Sequence, residues 1–523
     1  MFVSINESRG FLARRKRIFV YLYTYMNDLY AGGPHKWMRM SCGIHATKIP
    51  FSMRRLSLYF LSLTLLSTLA AQSVRVPAVI PELLDDTAWG LSVRDVSTGL
   101  QVVDLQASHL LTPASTMKII STAAAYRILG PDYRIPTEVM MTGPVRDGVL
   151  EGDLCLVGHG DPTIESGHLP KEERWALYDE ITAALRERGV SRVTGSVLAL
   201  SDRRDFQAVN PYWSAVDMGN YYGAGHFMLN VLDNTYYLSF RNYGRDFSVS
   251  PEVPGLRLVG LYARTSRVTS DSLYVSSFPL SDGSLAITGA YPSRAKSLGI
   301  RGAVPDPPLL LAKRVRDRLR RDGITVEGDF RTVAQLPQGS VRLMTHYSPR
   351  LSEVIRLTNH FSINMYAEGC LRLIAERIPA LPGETVTETA IRAVRDHWAS
   401  QGLAGSLLEM YDGSGLSRAN KVAPAYMTEL LTRVWCESDG DGFPLLLPTI
   451  GQEGTLRLLL GGTRLEGAGR MKSGSIHGVT CYAGYITHGG RTYAVSVMVT
   501  NHTKRHGEIR RAIGDLLLST FVY

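Results

Sequence analysis

Leu111-Thr112-Pro113-Ala114-Ser115-Thr116-Met117-Lys118 runs straight into Ile119-Ile120-Ser121-Thr122-Ala123-Ala124-Ala125, and the chain next breaks at Gly130-Pro131. The reading of this stretch decides the fold. Thr112 and Pro113 supply a capping hydroxyl and a first-turn proline, which predicts a helix over residues 114–129. The helix is apolar on most faces, so it is expected inside a core rather than on a surface. Ser115 then lies in its first turn and Lys118 one turn on, where i and i+3 side chains share a face. A helix N-terminus stabilises developing negative charge, which suits a serine nucleophile beside a base. Just upstream, residues 89–95 and 100–105 read as two strands of a hairpin around the turn Ser97-Thr98-Gly99.

The lysine matters because lysine is scarce. The chain holds 10 Lys against 47 Arg. Arginine stays charged in proteins, whereas a desolvated lysine can give up its proton and act as a base. The S-x-x-K pattern alone is weak, and the chain contains its own control. Ser293-Arg294-Ala295-Lys296 follows Pro292 between Gly289 and Gly299 with no apolar helix behind it, and reads as chance. Ser362-Ile363-Asn364 is weaker, because S-x-N recurs at Ser4-Ile5-Asn6 and Ser and Asn favour helix starts anyway. Lys472-Ser473-Gly474-Ser475 has one bland explanation, an edge strand guarded by a lysine. Beside a serine nucleophile the same four residues make chemical sense. Gly474 admits a substrate backbone, Ser473 can hold a carboxylate, Lys472 supplies positive charge, and the Ser475 and Ser115 N–H groups can form an oxyanion hole.

At 523 residues, with 45% hydrophobic and 20% charged residues, the chain is an ordinary globular protein of two or three domains. The formal charge of +9 suggests a polyanion partner, but residues 1–72 carry ten basic residues and two acidic ones. The remaining body is nearly neutral and offers no footprint for nucleic acid. Met53-Arg54-Arg55 followed by an apolar run to Leu69 and then Ala70-Ala71-Gln72 reads as a signal peptide over 53–72, too short for a comfortable membrane span. Residues 1–52 precede it as a non-native or unstructured extension. Export, and hence a periplasmic location, is the expectation, with peripheral membrane association left open. Cys155, Cys370, Cys436 and Cys481 fit no metal-binding spacing, and most are expected as buried free thiols.

Along the chain, short alternating strands predominate between about Ile135 and Arg342, and helical periodicity returns from Ser348. The simplest organisation is an α/β domain at 74–140 and 343–523, interrupted by a β-rich insert at 141–342.

Ser115-x-x-Lys118, Ser362-x-Asn364 and Lys472-Ser473-Gly474 occur in the order found in penicillin-recognising serine enzymes. The segment 111–118 resembles the active-site segment of class C low-molecular-mass penicillin-binding proteins, the D-alanyl-D-alanine carboxypeptidase/endopeptidase family. Residues 158–163 resemble that family's glycine-rich segment, with His159 where glycine is common, and 217–224 and 412–418 resemble further family segments. The similarity runs from about residue 76 onward. It implies a β-lactamase/transpeptidase-like fold with a large insert, no cofactor and no metal, and action on peptidoglycan stem peptides with inhibition by β-lactams. It also implies roles. Ser115 is acylated, Lys118 is its base, Ser362 relays a proton to the leaving amine, and Asn364 binds substrate and orders Lys118. Lys472 and Ser473 take the terminal carboxylate, with Gly474 beside them on the substrate-binding strand and Ser475 completing the oxyanion hole. Ser473 stands where the family often has threonine, and either hydroxyl can donate. His159 and Asp161 fall in the insert and read as structural. Alternatives are a β-lactamase or esterase of the same fold, or a peptidoglycan-binding scaffold without turnover. The absence of G-x-S-x-G and H-E-x-x-H speaks against other hydrolase classes. The oligomeric state is not legible.

Overall fold

The computed structural model describes residues 74–521, apart from 78–79, 203, 269–271 and 439. The expectations for residues 1–52 and for the leader at 53–72 lie outside the described residues. Strands β1 (Ala88–Asp95) and β2 (Gln101–Leu105) form the hairpin. After them come helix α1 (Met117–Leu129), strands β3 (Pro136–Met141) and β4 (Leu154–Gly158), helix α2 (Ala176–Glu187) and strand β5 (Val197–Leu200). Helix α3 (Pro307–Arg321) precedes strands β6 (Phe330–Val333) and β7 (Val341–Tyr347). Helices α4 (Leu351–Phe361), α5 (Asn364–Ala375), α6 (Val386–Ser400) and α7 (Pro424–Ser438) follow. The described chain closes with β8 (Gly469–Ile476), β9 (Val479–His488), β10 (Arg491–Thr500) and α8 (His506–Phe521).

Both ends of this path meet in one antiparallel sheet of order β2-β1-β10-β9-β8. Trp89 stands opposite Val499 and Val93 opposite Val495, so the first strand is zipped to the last. The sheet is covered on both faces, and strand alternation assigns each residue to one of them. Leu91, Val93, Val495 and Val497 pack with Ile509, Ile513 and Leu517 of α8. On the other face Ser92 shares a 2.8 Å hydrogen bond with Thr428 of α7, and Ala494 and Met498 join the core around α1. Gly90 is required here, because a Cβ would stand 2.8 Å from the Gln106 carbonyl oxygen and 3.1 Å from Pro424. Helix α1 is the centre of the second layer. Every residue from Met117 to Ala125 is buried, among α4, α5 and α6.

Helix α1 begins later than the sequence predicts. Ala114–Thr116 forms a separate 3₁₀ turn with no side-chain cap, and Pro113, not Thr112, precedes it. The Thr112 hydroxyl is already engaged, accepting from Lys421 Nζ at 2.7 Å. Ala114 has a φ of 44°, the left-handed region that alanine avoids, directly before Ser115.

Between α1 and α4 the chain builds other sheets. The largest has the order β6-β5-β4-β3-β7, with β3 and β7 antiparallel neighbours although nearly the whole insert separates them in sequence. The crossing is fixed at Ile135 and Ser348. The Ile135 N–H donates to Ser348 Oγ at 2.9 Å, and the Ser348 N–H donates to the Ile135 carbonyl at 3.0 Å. A second hydrophobic cluster, including Leu156, Tyr178, Ile181, Leu238, Ile287 and Leu311, holds this region together. Cys155, Cys370 and Cys481 are buried free thiols and Cys436 is an exposed one. Burial pushes the three buried thiols up to about 12, which makes them poor nucleophiles. Among the described residues no helix is long and apolar enough to cross a membrane.

Candidate active site

The left-handed Ala114 turns Ser115 off the end of α1, and Gly415 makes the turn possible from the other side. At φ 81° it lies so close that a Cβ would be 1.8 Å from the Ala114 carbonyl oxygen. Lys118, fully buried, donates to Ser115 Oγ at 2.9 Å, to Asn364 Oδ1 at 2.6 Å and to the Ser414 carbonyl at 2.7 Å. Three acceptors around one ammonium fix its position. Burial nevertheless brings the Lys118 ammonium down to about 7, against the pull of the Asp412 and Glu368 carboxylates. A base poised near neutrality beside a serine hydroxyl is the arrangement general-base catalysis needs.

Asn364 opens α5, and its Nδ2 donates to the Tyr222 carbonyl at 2.7 Å, so the amide is clamped between Lys118 and the insert. Ser362 precedes it in the left-handed conformation (φ 58°). The turn aims Ser362 Oγ at Lys472, whose Nζ donates to it at 3.0 Å and to the Ser473 carbonyl at 2.6 Å. Lys472 is also fully buried. Burial first, then the nearby Lys118 charge, hold its ammonium well below the ordinary lysine range. The Ser473 hydroxyl donates to Thr455 Oγ1 at 2.6 Å.

Gly474 also answers a need of the protein's own packing. A Cβ there would lie 2.6 Å from the Pro113 carbonyl oxygen, 3.0 Å from the Ser115 nitrogen and 2.9 Å from the Thr116 nitrogen. The missing side chain lets β8 touch the nucleophile turn. That contact sets Ser475 beside Ser115. All eight residues singled out from the sequence therefore converge: Ser115, Lys118, Ser362 and Asn364 on one side, Lys472, Ser473, Gly474 and Ser475 on the strand.

Sequence reasoning missed the groups that hold Lys118. Glu368 is buried one turn after Asn364 on α5, and its Oε1 accepts from the N–H groups of Gly413 and Ser414 at 3.0 and 2.9 Å. Burial, and after it the Asp412 charge, push its carboxyl upward. Asp412 accepts from the N–H groups of Gly415 and Ser417 at 2.7 and 2.6 Å and from Trp213 Nε1 at 2.9 Å. Together they stiffen residues 412–417, whose Ser414 carbonyl faces Lys118. The i, i+4 spacing of Asn364 and Glu368 was available as a signal. The ligation of the loop by Glu368 was not, because it is a long-range contact.

Asp161 is buried in the insert, where its Oδ1 accepts from the Thr163 N–H and hydroxyl at 2.8 and 2.7 Å. His159 lies 3.5 Å from Glu138. The second S-x-x-K is a turn after the strand Leu285–Pro292, with Lys296 exposed.

Residues 72–520 match the profile of the D-Ala-D-Ala carboxypeptidase 3 (S13) family. The chain is 27% identical over 441 residues to a D-alanyl-D-alanine carboxypeptidase of Actinomadura sp. (strain R39), spanning 80% of this chain and 79% of that relative. It is 23% identical to D-alanyl-D-alanine carboxypeptidase DacB of Haemophilus influenzae, over 79% of this chain and 85% of the relative. In fold it is similar to the crystal structure of penicillin binding protein 4 (dacB) from Haemophilus influenzae. That match has a TM-score of 0.71 and 22% identity, and covers 85% of this chain and 98% of the other.

Proposed function

The chain belongs to the D-Ala-D-Ala carboxypeptidase 3 (S13) family of serine peptidases, and on that premise we propose that Ser115 and Lys118 cleave D-Ala-D-Ala termini of peptidoglycan stem peptides. The observation that carries the reading is Lys118 itself. It is fully buried, within 2.9 Å of Ser115 Oγ, and poised at about 7.

Neutral Lys118 takes the Ser115 proton as Oγ attacks the penultimate D-Ala carbonyl. The tetrahedral oxyanion rests between the Ser115 and Ser475 N–H groups. Its collapse breaks the C–N bond, and Ser362 passes a proton to the leaving amine with Lys472 at 3.0 Å behind it. Lys472 and Ser473 hold the terminal carboxylate. An incoming carboxylate offsets the desolvation of Lys472 and restores its charge, so binding and protonation are linked. D-Ala departs, and water then releases the acyl group from Ser115. Asn364 aligns the substrate amide while accepting from Lys118. Residues 74–135 and 348–521 serve as the catalytic domain, and the span between them, from β3 to β7, is a β-rich insert that clamps Asn364 through Tyr222. The insert's boundaries fall a few residues outside the expected 140 and 343 because β3 and β7 pair with each other. No cofactor is assigned.

The cleft acts outside the cytoplasmic membrane, delivered by the leader read at 53–72. β-Lactams acylate the same serine, because they present a strained amide and a carboxylate to the same groups. The test is intact mass after penicillin G, followed by peptide mapping. One adduct on the Ser115 peptide, with D-Ala released from a pentapeptide, supports the reading. An adduct elsewhere, or none on folded protein, sinks it. Rapid penicillin turnover without D-Ala release would favour a β-lactamase instead. Conversion of cross-linked muropeptide dimers to monomers would add endopeptidase action.

A further inference from the structure

Three histidines crowd the far side of Ser475, and no step above uses them. His502 is buried, and its Nδ1 lies 3.0 Å from the Lys504 carbonyl oxygen. Its Nε2 lies 3.1 Å from Thr480 Oγ1. Thr480, buried and paired across the sheet with Ser475, stands 2.9 Å from His506 Nδ1. His506 Nδ1 in turn lies 3.1 Å from Ser475 Oγ. His506 opens α8 and is exposed, as is Ser475. Burial, then the neighbouring His502 and His477, hold its imidazole below the usual histidine range.

The direction of each hydrogen bond follows from the fixed end. A carbonyl only accepts, so His502 Nδ1 carries the hydrogen. In the neutral ring Nε2 is then bare and accepts the Thr480 hydroxyl proton. The Thr480 oxygen, its proton committed, accepts from His506 Nδ1–H. That same N–H is shared with Ser475 Oγ, which therefore accepts as well. His506 Nε2 is 3.5 Å from Ser475 Oγ, farther than Nδ1 at 3.1 Å, so the shorter contact is taken by Nδ1–H and the Ser475 proton is directed away from the ring. Its side chain lies on the same side of β8 as that of Ser473, since strand residues i and i+2 share a face.

We infer that Lys504, His502, Thr480 and His506 form a relay that fixes the Ser475 hydroxyl as a donor into the cleft, making His506 a positioning residue for the substrate's terminal carboxylate. The inference deepens the carboxypeptidase reading and rests on it for the identity of the ligand. Without the relay the hydroxyl rotates freely, and the carboxylate loses a preset partner.

Kinetics on a peptide ending in D-Ala-D-Ala and imidazole nitrogen NMR of the ¹⁵N-histidine-labelled chain test it together. His506→Phe and Thr480→Val should each raise KM on the order of 3- to 10-fold with kcat held within about twofold, the scale of one hydrogen bond. His506→Asn places an amide donor where Nδ1 stood and should recover most of the wild-type KM. The spectra should show His502 and His506 both protonated at Nδ1, with the His506 signals identified by their loss in His506→Asn. A hydrogen on His506 Nε2 instead of Nδ1 overturns the relay, as does an unchanged KM in His506→Phe or a His506→Asn no better than His506→Phe. The tautomers are read without turnover. A chain that took no penicillin adduct would therefore sink the peptidase reading while the relay was still judged by its own spectrum.

Discussion

Ser115–Lys118 and Ser293–Lys296 have the same four-residue pattern and share nothing else. Lys118 is fully buried with three acceptors, two of them outside its own segment. Lys296 is exposed on a turn, and Ser293 uses its N–H to bond the Thr265 carbonyl at 2.9 Å. A motif of this kind specifies a nucleophile only when the fold removes the lysine from water and supplies the neighbours that hold it.

The comparison can be broken most directly at the nucleophile. Ser115→Ala should abolish penicillin acylation while Ser293→Ala leaves it intact, as read by intact mass. Equal adducts in the two variants would end the distinction. Next in size is Lys118→Arg, which keeps the charge but cannot release it at neutral pH. A loss of about 10²- to 10⁴-fold in acylation rate is expected, measured by stopped-flow with a chromogenic β-lactam. In the wild type the same step should rise with pH below about 7 and level above it, since neutral Lys118 is the active form. A profile flat from pH 5 to 9 would remove Lys118 from the base role.

Glu368→Gln probes the support rather than the base. Glutamine keeps an acceptor for the Gly413 and Ser414 N–H groups but cannot ionise. Burial and the Asp412 charge push the Glu368 carboxyl up to about 8, so it is mostly protonated where Lys118 titrates. The acid limb of the profile should therefore move only slightly, toward lower pH, with the plateau reduced by roughly tenfold or less through altered loop position. A shift toward higher pH contradicts the electrostatic account. The smallest effect belongs to Lys296→Ala, expected to change acylation by less than about twofold, as for surface substitutions generally.

Much of this contrast is legible in the sequence because it is local. The apolar run after Ser115 announces a buried helix, and proline and glycines around Ser293 announce a turn. The three short motifs converge as their order suggests. What is not legible is set by distant contacts. The late start of α1 comes from Lys421 occupying the Thr112 hydroxyl and from Gly415 pressing on Ala114, neither of which is near in sequence. The pairing of β3 with β7 depends on everything between them. Glu368 is visible as a residue but not as the anchor of residues 412–414, and His506 acquires its place only when α8 docks beside β8.

The pairing of β1 with β10 also governs when the cleft is complete. A polypeptide is made from its N-terminus, so the Ser115 turn exists long before Gly474 and the strand that presses against it. Until β10 takes its place beside β1, the strand β8 that carries Lys472 and presses on the Ser115 turn has no sheet to join, and the cleft lacks one wall. Such non-local closure is slow compared with local helix formation. The growing chain thus carries its nucleophile well before the Lys472–Ser475 strand, and the carboxylate side of the cleft is complete only once the last strands are in place.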